Sequence, residues 1–283
     1  MTIRSHPVAK QQVETDQLMG AVAQAQLSAL LLDYDGTLAP FCANRQAALP
    51  YLGVVPVLRE IIATGRTRVV IVSGRSAPDV VPLLGMYPIP EVWGAHGLQR
   101  LRPDGNCELA ELHENVLQAL SDTQEWLTEQ GLEQFAERKP GGVAVHWRGL
   151  SAANAAEIRE RVLRGWFPAA QSTSMSVLEF DGGVEIRAPG IDKGDAVRTI
   201  MSELDFETPI AYLGDDATDE PAFKALGARG LSILVRPEWR RTAARIWLKP
   251  PDDLLDFLTR WLQACRETRA PGRDSALYQR NDR

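Results

Sequence analysis

Ala29-Leu30-Leu31-Leu32-Asp33-Tyr34-Asp35-Gly36-Thr37 decides the fold. Four apolar residues in a row read as a strand buried on both faces, as in a parallel sheet. Gly36 permits the sharp turn and the close backbone approach that end such a strand beside a ligand. In an extended segment Asp33 and Asp35 project to the same side. Two carboxylates held there repel each other unless a cation or a shared proton joins them. A strand, two acids, Gly and Thr in that order ask for a metal and an incoming phosphate.

Outward from this stretch the pattern repeats. A helix is expected over 52–63, with Val55, Leu58, Ile61 and Ile62 on one face and Gly65 at its end. A second apolar strand, 68–72, ends in Ser73-Gly74-Arg75. Val92 and Trp93 lead into Gly94-Ala95-His96-Gly97. Strand, helix, strand, helix, strand is the order of a parallel sheet covered on both faces.

The middle of the chain reads differently. Hairpins are expected around Asp104-Gly105, Pro140-Gly141-Gly142 and Asp181-Gly182-Gly183, with helices over 115–130 and 152–164. The parallel pattern resumes with a helix from Lys193, a strand over 210–213 ending in Gly214-Asp215-Asp216, a helix over 221–226, a strand over 231–235 and a helix over 251–264. The basic run 236–245 reads as a solvated helix face. The 26 residues before Leu27 read as a short helix or loose arm, and 267–283 as a loose tail. The fold class is therefore α/β, a Rossmann-like parallel-sheet core carrying an inserted α+β domain. The expected divisions are 1–98 for the first part of the core, 99–188 for the insert and 189–283 for the second part.

Bulk properties narrow the function. The 283 residues are 45% hydrophobic and 24% charged, the balance of an ordinary soluble globular protein. A net charge of -6 argues against a nucleic-acid partner. Three widely spaced cysteines match neither metal-ligand spacing nor an even disulfide set, which favours a reducing compartment. No window has the apolar length of a membrane span, and the first residues lack a signal-peptide core. A cytoplasmic location is expected.

In a doubly wound sheet the carboxyl ends of the strands share one crevice. Asp33/Asp35, Ser73, Lys193 and Asp215/Asp216/Asp219 all stand at such ends or at helix starts, so they converge although far apart in sequence. Carboxylates suit a hard cation such as Mg²⁺, which keeps waters and takes phosphate oxygens. A hydroxyl, an ammonium and backbone N–H groups suit the phosphate itself.

The set Asp-x-Asp-Gly-Thr, a strand-ending Ser, a Lys and Gly-Asp-Asp-x-x-x-Asp resembles the haloacid dehalogenase superfamily of phosphatases. The resemblance implies Asp33 as nucleophile and Asp35 as general acid, then base. It implies Ser73 and Lys193 as holders of the phosphoryl group. It places Mg²⁺ on Asp33, Asp215 and the Asp35 carbonyl, with Asp216 or Asp219 in support. The insert is similar to a cap domain that reads the substrate.

Narrower motifs, Asp33 to Pro40, Val72 to Arg75, His96-Gly97 and Tyr212 to Glu220, resemble trehalose-6-phosphate phosphatases. That resemblance implies a small-molecule sugar phosphate as substrate and a trehalose-6-phosphate synthase as the preceding enzyme. It implies substrate contacts from Gly36, Gly74, Arg75, His96, Glu137, Lys139, His146 and Glu185. Glu137, Lys139 and His146 alternate along two paired strands and are expected on one sheet face. Trp147 stands where the family usually has Tyr, and Pro221 where it often has Asp. A phosphorylated glycoside such as mannosylglycerate phosphate, sucrose phosphate or glucosylglycerol phosphate is the alternative substrate.

Overall fold

The computed structural model describes residues 8–267 apart from 43, 181 and 190. The tail 268–283 and residues 1–7 lie outside the described residues. In chain order the strands are β1 (Ser28–Leu32), β2 (Thr67–Val72), β3 (Glu91–Gly94), β4 (Gln99–Leu101), β5 (Cys107–Leu109), β6 (Ala136–Lys139), β7 (Gly142–His146), β8 (Ser176–Phe180), β9 (Gly183–Arg187), β10 (Ile210–Gly214), β11 (Leu231–Val235) and β12 (Ile246–Leu248). The helices are α1 (Val8–Gln24), α2 (Val54–Ala63), α3 (Ala77–Leu84), α4 (Glu114–Glu129), α5 (Ala152–Thr173), α6 (Lys193–Ser202), α7 (Glu220–Leu226) and α8 (Asp252–Arg266).

The larger sheet runs β12-β11-β10-β1-β2-β3-β4-β5, parallel from β12 to β3 and antiparallel at β4 and β5. The chain leaves β1 in one direction through β2 and β3 and returns on the other side through β10, β11 and β12. The switch point, where such sheets bind ligands, therefore lies between β1 and β10. Residues 29–32 of β1 are wholly buried. Leu30 and Leu32 join the core beneath α1, α2, α3 and α8, while Ala29 and Leu31 join the one beneath α6 and α7. Each such leucine stabilises the fold by roughly 2 kcal/mol.

The smaller sheet, β6-β7-β9-β8, is antiparallel. Val143, Val145, Val184 and Ile186 pack on Ile158, Val162 and Trp166 of α5 and on Ala119 and Leu127 of α4. Its other face carries the polar residues and turns toward the crevice.

Four expectations change. The hairpin β4–β5, placed by sequence in the insert, extends the larger sheet instead, because β4 pairs with β3. The stretch before Leu27, expected as a short helix or a loose arm, is a 17-residue helix, α1, with Met19 and Val22 in the core. The buried face of α2 is Val54, Val57, Leu58 and Ile61, one position off for its first member, with Val55 and Ile62 half-buried. The basic run 236–245 is no helix but an irregular connection between the parallel strands β11 and β12. No helix among the described residues is long and apolar enough to cross a membrane.

Candidate active site

Asp33 follows β1 directly, and its N–H donates to the Leu213 carbonyl of β10 at 2.9 Å. That bond sets the two acid-bearing strand ends side by side, Asp33 next to Gly214-Asp215. Gly36 (φ 85°) makes the approach possible: a Cβ there would lie 2.2 Å from an Asp215 carboxylate oxygen. Only glycine accepts both that conformation and that contact.

Lys193 arrives by a different local device. Asp192 caps α6, accepting the N–H groups of Gly194 (2.8 Å) and Asp195 (3.2 Å), while the Asp195 carboxylate accepts the Asp192 N–H at 2.8 Å. This reciprocal cap starts the helix at Lys193. Its buried ammonium donates to Asp33 Oδ1 at 2.6 Å and Asp219 Oδ1 at 2.8 Å. The Thr37 hydroxyl donates to Asp33 Oδ2 at 3.1 Å, so both oxygens of the expected nucleophile are held.

Oxygens of Asp33, Asp215 and Asp219 lie within 4.8 Å of one another, all buried. Burial, opposed by Lys193 and reinforced by Asp219, pushes the Asp33 carboxyl up to about 7. Burial and the Asp33 and Asp219 charges push Asp215 well above the usual carboxylate range. Burial also works against the Lys193 ammonium, but Asp219 and Asp33 outweigh it and keep it charged. With all three carboxylates ionised, one ammonium would leave net negative charge out of water, which a hard divalent cation would offset. The donor set, all carboxylate oxygen, fits Mg²⁺.

Asp219 is an anchor within this set. Its Oδ1 accepts Lys193 and the Tyr212 hydroxyl (2.6 Å), and its Oδ2 accepts the N–H groups of Asp215 and Asp216, each at 3.1 Å. Four donors fill its acceptor positions. Asp216 lines the cleft outside the three-carboxylate cluster.

The Asp35 side chain has a protein cation of its own. Its carboxylate accepts a two-pronged pair from Arg75, Nε and Nη2 at 2.6 Å each. Arg75 is buried, 3% exposed, and lies on the Tyr34 ring at 5.7 Å. The anticipated repulsion is thus answered by two separate cations, Lys193 and Arg75. Ser73 is buried behind the cleft wall, its Oγ accepting the Arg75 N–H at 3.1 Å, while Gly74 and Arg75 line the cleft.

Above this floor stands the polar face of the smaller sheet. Pairing of Glu137 with Ala144, and of Ala144 with Glu185, puts Glu137, Lys139, His146 and Glu185 on one face. Glu185 accepts from Lys139 at 3.2 Å and lies 3.2 Å from His96 Nε2, a contact between insert and core. Burial opposes its charge, but Lys139, His96 and Arg187 overcome this and hold Glu185 below the usual carboxylate range. Burial pushes His96 down against the pull of Glu185, so the imidazole is neutral at pH 7. Gly74 makes room for that ring: a Cβ there would come within 2.6 Å of it. His146 meets Glu137 at 2.7 Å.

The cleft between floor and roof is open to solvent. Several of its residues had no individual role assigned from the sequence. Arg187 lines it, and Arg148 of the insert lies 5.4 Å from the ring of Phe41 in the core. Thr37 and Tyr212 stood inside quoted motifs without an assigned role.

Comparison with known proteins bears on the same residues. The trehalose-phosphatase family model matches residues 31–245. The chain is 33% identical to the trehalose-phosphate phosphatase of Mycobacterium marinum over 249 residues, 82% of this chain and 60% of the relative. A bifunctional trehalose-6-phosphate synthase/phosphatase of Thermoproteus tenax is 29% identical over 80% of this chain and 31% of its own length. The chain thus spans about 60% of the length of its mycobacterial relative. Among solved structures, the C-terminal domain of the C. albicans trehalose-6-phosphate phosphatase superposes with a TM-score of 0.74 at 21% identity, over 88% of this chain and 96% of that one. A haloacid dehalogenase-like hydrolase from B. subtilis superposes with a TM-score of 0.59 at 16% identity, over 82% of this chain and 99% of that one, and shares the fold. The family match runs from β1, through the capped crevice, to the connection before β12, and so spans every residue of the floor and roof: the chain belongs to the trehalose-phosphatase family.

Proposed function

We propose that the protein is a Mg²⁺-dependent phosphoric monoester hydrolase that converts trehalose 6-phosphate to trehalose and phosphate. The observation that carries this is the cleft floor. A buried Asp33 carboxylate lies 2.6 Å from one ammonium, and a second carboxylate, Asp35, is held apart by its own arginine. That arrangement supports a reading in which two acids in one crevice have two different tasks.

Asp33 attacks phosphorus, and the bond from phosphorus to the sugar oxygen breaks. Asp35, which first takes up a proton and gives up one prong of its Arg75 pair, passes that proton to the oxygen, releasing trehalose and leaving an aspartyl-phosphate. Asp35 then takes a proton from water, whose oxygen attacks phosphorus and restores the Asp33 carboxylate. Lys193 faces the charge on the transferring group, and Thr37 keeps Asp33 oriented. Mg²⁺, held by Asp33 and Asp215 with the Asp35 carbonyl, would neutralise phosphoryl oxygens. Such catalysis is mostly positioning and electrostatics. Glu137, Lys139, His146 and Glu185 provide charged acceptors and donors for the hydroxyls of a non-reducing disaccharide.

The Thermoproteus tenax relative is a bifunctional trehalose-6-phosphate synthase/phosphatase. By that likeness the reaction proposed here would follow a trehalose-6-phosphate synthase. A phosphate-release assay on trehalose 6-phosphate, sucrose 6-phosphate and mannosylglycerate phosphate, with and without Mg²⁺, tests the proposal. Preference for trehalose 6-phosphate that vanishes with EDTA supports it. Equal or better turnover of another glycoside phosphate would overturn the substrate.

A further inference from the structure

The connection 236–245 between β11 and β12 is where a parallel sheet usually has a helix. Here it is an irregular strap that lies over the loop bearing Asp215 and Asp216. Trp247 pins its start, donating from Nε1 to the Arg236 carbonyl at 2.8 Å.

Arg240 makes the principal contacts of this strap. Its Nε donates to the Asp215 carbonyl at 3.1 Å and its Nη2 to the Asp216 carbonyl at 2.7 Å. Nη1 donates to Glu220 Oε1 at 2.6 Å and to the Arg241 carbonyl at 3.0 Å. Glu220 in turn accepts the Ala243 N–H on Oε2 at 2.8 Å, closing the strap on the start of α7. Arg236 Nη1 adds a weaker contact to the Asp215 carbonyl at 3.4 Å. The Arg240 side chain is 22% exposed and Glu220 20%, so the group is largely shielded from water.

The geometry points to Arg240 as the positioning residue that holds the Asp215 carboxylate in place for the cation. Two sides of the loop are then restrained. Asp219 binds the N–H groups of Asp215 and Asp216 from below, and Arg240 binds their carbonyls from the strap. With both peptide groups held, the Asp215 side chain leaves the backbone in one direction, toward Asp33. A rigid fork suits this better than an ammonium, because one guanidinium reaches two carbonyls and a carboxylate at once. The inference rests on the reading of Asp33 and Asp215 as the Mg²⁺ site.

Charge alone and positioning make opposite forecasts. A cation beside a Mg²⁺ site opposes binding by Coulomb repulsion, so removing it would tighten Mg²⁺. Loss of the fork would weaken Mg²⁺ on the order of tenfold to a hundredfold, the usual effect of removing a partner that orients a metal ligand. The test is calorimetric titration of EDTA-stripped protein with MgCl₂, for wild type, Arg240→Met, Arg240→Lys and Glu220→Gln, with melting curves recorded alongside. The expected result is weaker Mg²⁺ binding in both Arg240 variants, no rescue by lysine, and a smaller loss in the same direction for Glu220→Gln. Steady-state assays should show the half-saturating Mg²⁺ concentration rising more than kcat falls. Should Arg240→Met be misfolded, Glu220→Gln decides, because it loosens the fork without emptying it. Unchanged or tighter Mg²⁺ binding, or full rescue by lysine, would overturn the inference alone. A wild-type protein that binds no Mg²⁺ would overturn the site reading and this inference with it.

Discussion

Lys193 and Asp33, 160 residues apart in the chain, meet at 2.6 Å on the floor of the cleft. The contact joins the start of α6 to the end of β1 and aims one buried ammonium at one buried carboxylate. Because Thr37 holds the other Asp33 oxygen, the acid has a defined orientation before any substrate arrives.

Asp33→Asn should abolish turnover, because a neutral amide cannot form the acyl phosphate. Loss of a nucleophile in a covalent mechanism costs about 10⁴-fold or more. Phosphate release from trehalose 6-phosphate measures this, and activity within tenfold of wild type would rule Asp33 out as the nucleophile.

Mg²⁺ should stabilise the fold more as pH rises. The Asp33 carboxyl, pushed up to about 7 in the metal-free protein, keeps its proton in the fold at pH values where the unfolded chain has lost it. The protonated form is therefore the comfortable one. Stability from this group is full below the ordinary aspartate value near 4 and is lost as pH climbs toward 7. A cation relieves that loss and binds only the deprotonated acids. Melting temperatures with and without MgCl₂ at pH 5 and pH 8 should differ more at pH 8. An equal or larger effect at pH 5 contradicts the site.

Arg75→Lys should lower kcat with little change in KM. Lysine keeps the charge but loses the two-pronged hold on Asp35. About a tenfold loss is expected, as for other groups that orient a reacting side chain. Steady-state kinetics check the split, and a rise in KM alone would instead make Arg75 a substrate contact.

Glu185→Gln should change selectivity. The glutamine leaves Lys139 and His96 without the buried carboxylate they share and removes a charged acceptor for sugar hydroxyls. The preference for trehalose 6-phosphate over p-nitrophenyl phosphate, as a ratio of kcat/KM values, should fall about tenfold or more. A preference that survives would remove Glu185 from the sugar site.

Gly36→Ala should impair both folding and metal binding. A methyl group there would meet the Asp215 carboxylate at 2.2 Å, at a φ of 85° that side chains avoid. A cost of about 1–3 kcal/mol from strain at such a site is expected, read from denaturant unfolding and from Mg²⁺ titration. Wild-type values in both would mean that the loop has room to yield.

Much of the core was legible because its signals are local. The run 29–32 with Gly36 behind it marks a buried strand and a turn, and β1 lies there. The three hairpins carry their glycines in sequence, and all three are present. Less legible was which sheet a hairpin joins: β4 and β5 look like the other pairs, and only packing beside β3 puts them in the larger sheet. The basic run 236–245 misled for a related reason. Four arginines in ten residues suggest solvent, yet Arg240 is turned inward by the carbonyls of Asp215 and Asp216.

The amino-acid sequence alone determined where reactive groups stand along the chain, since strand ends, caps and turns follow from neighbouring residues. It also identified the family, because its motifs are short contiguous strings. Which carboxylate meets which cation was decided only by the tertiary structure. Lys193 on Asp33, Arg75 on Asp35, and His96 with Lys139 around Glu185 are separated by 40 to 160 residues. Those contacts close at 2.6 to 3.2 Å, and no sequence spacing encodes that distance. The stacking of β1 between β2 and β10, and the insert folded over their ends, brings those groups within reach.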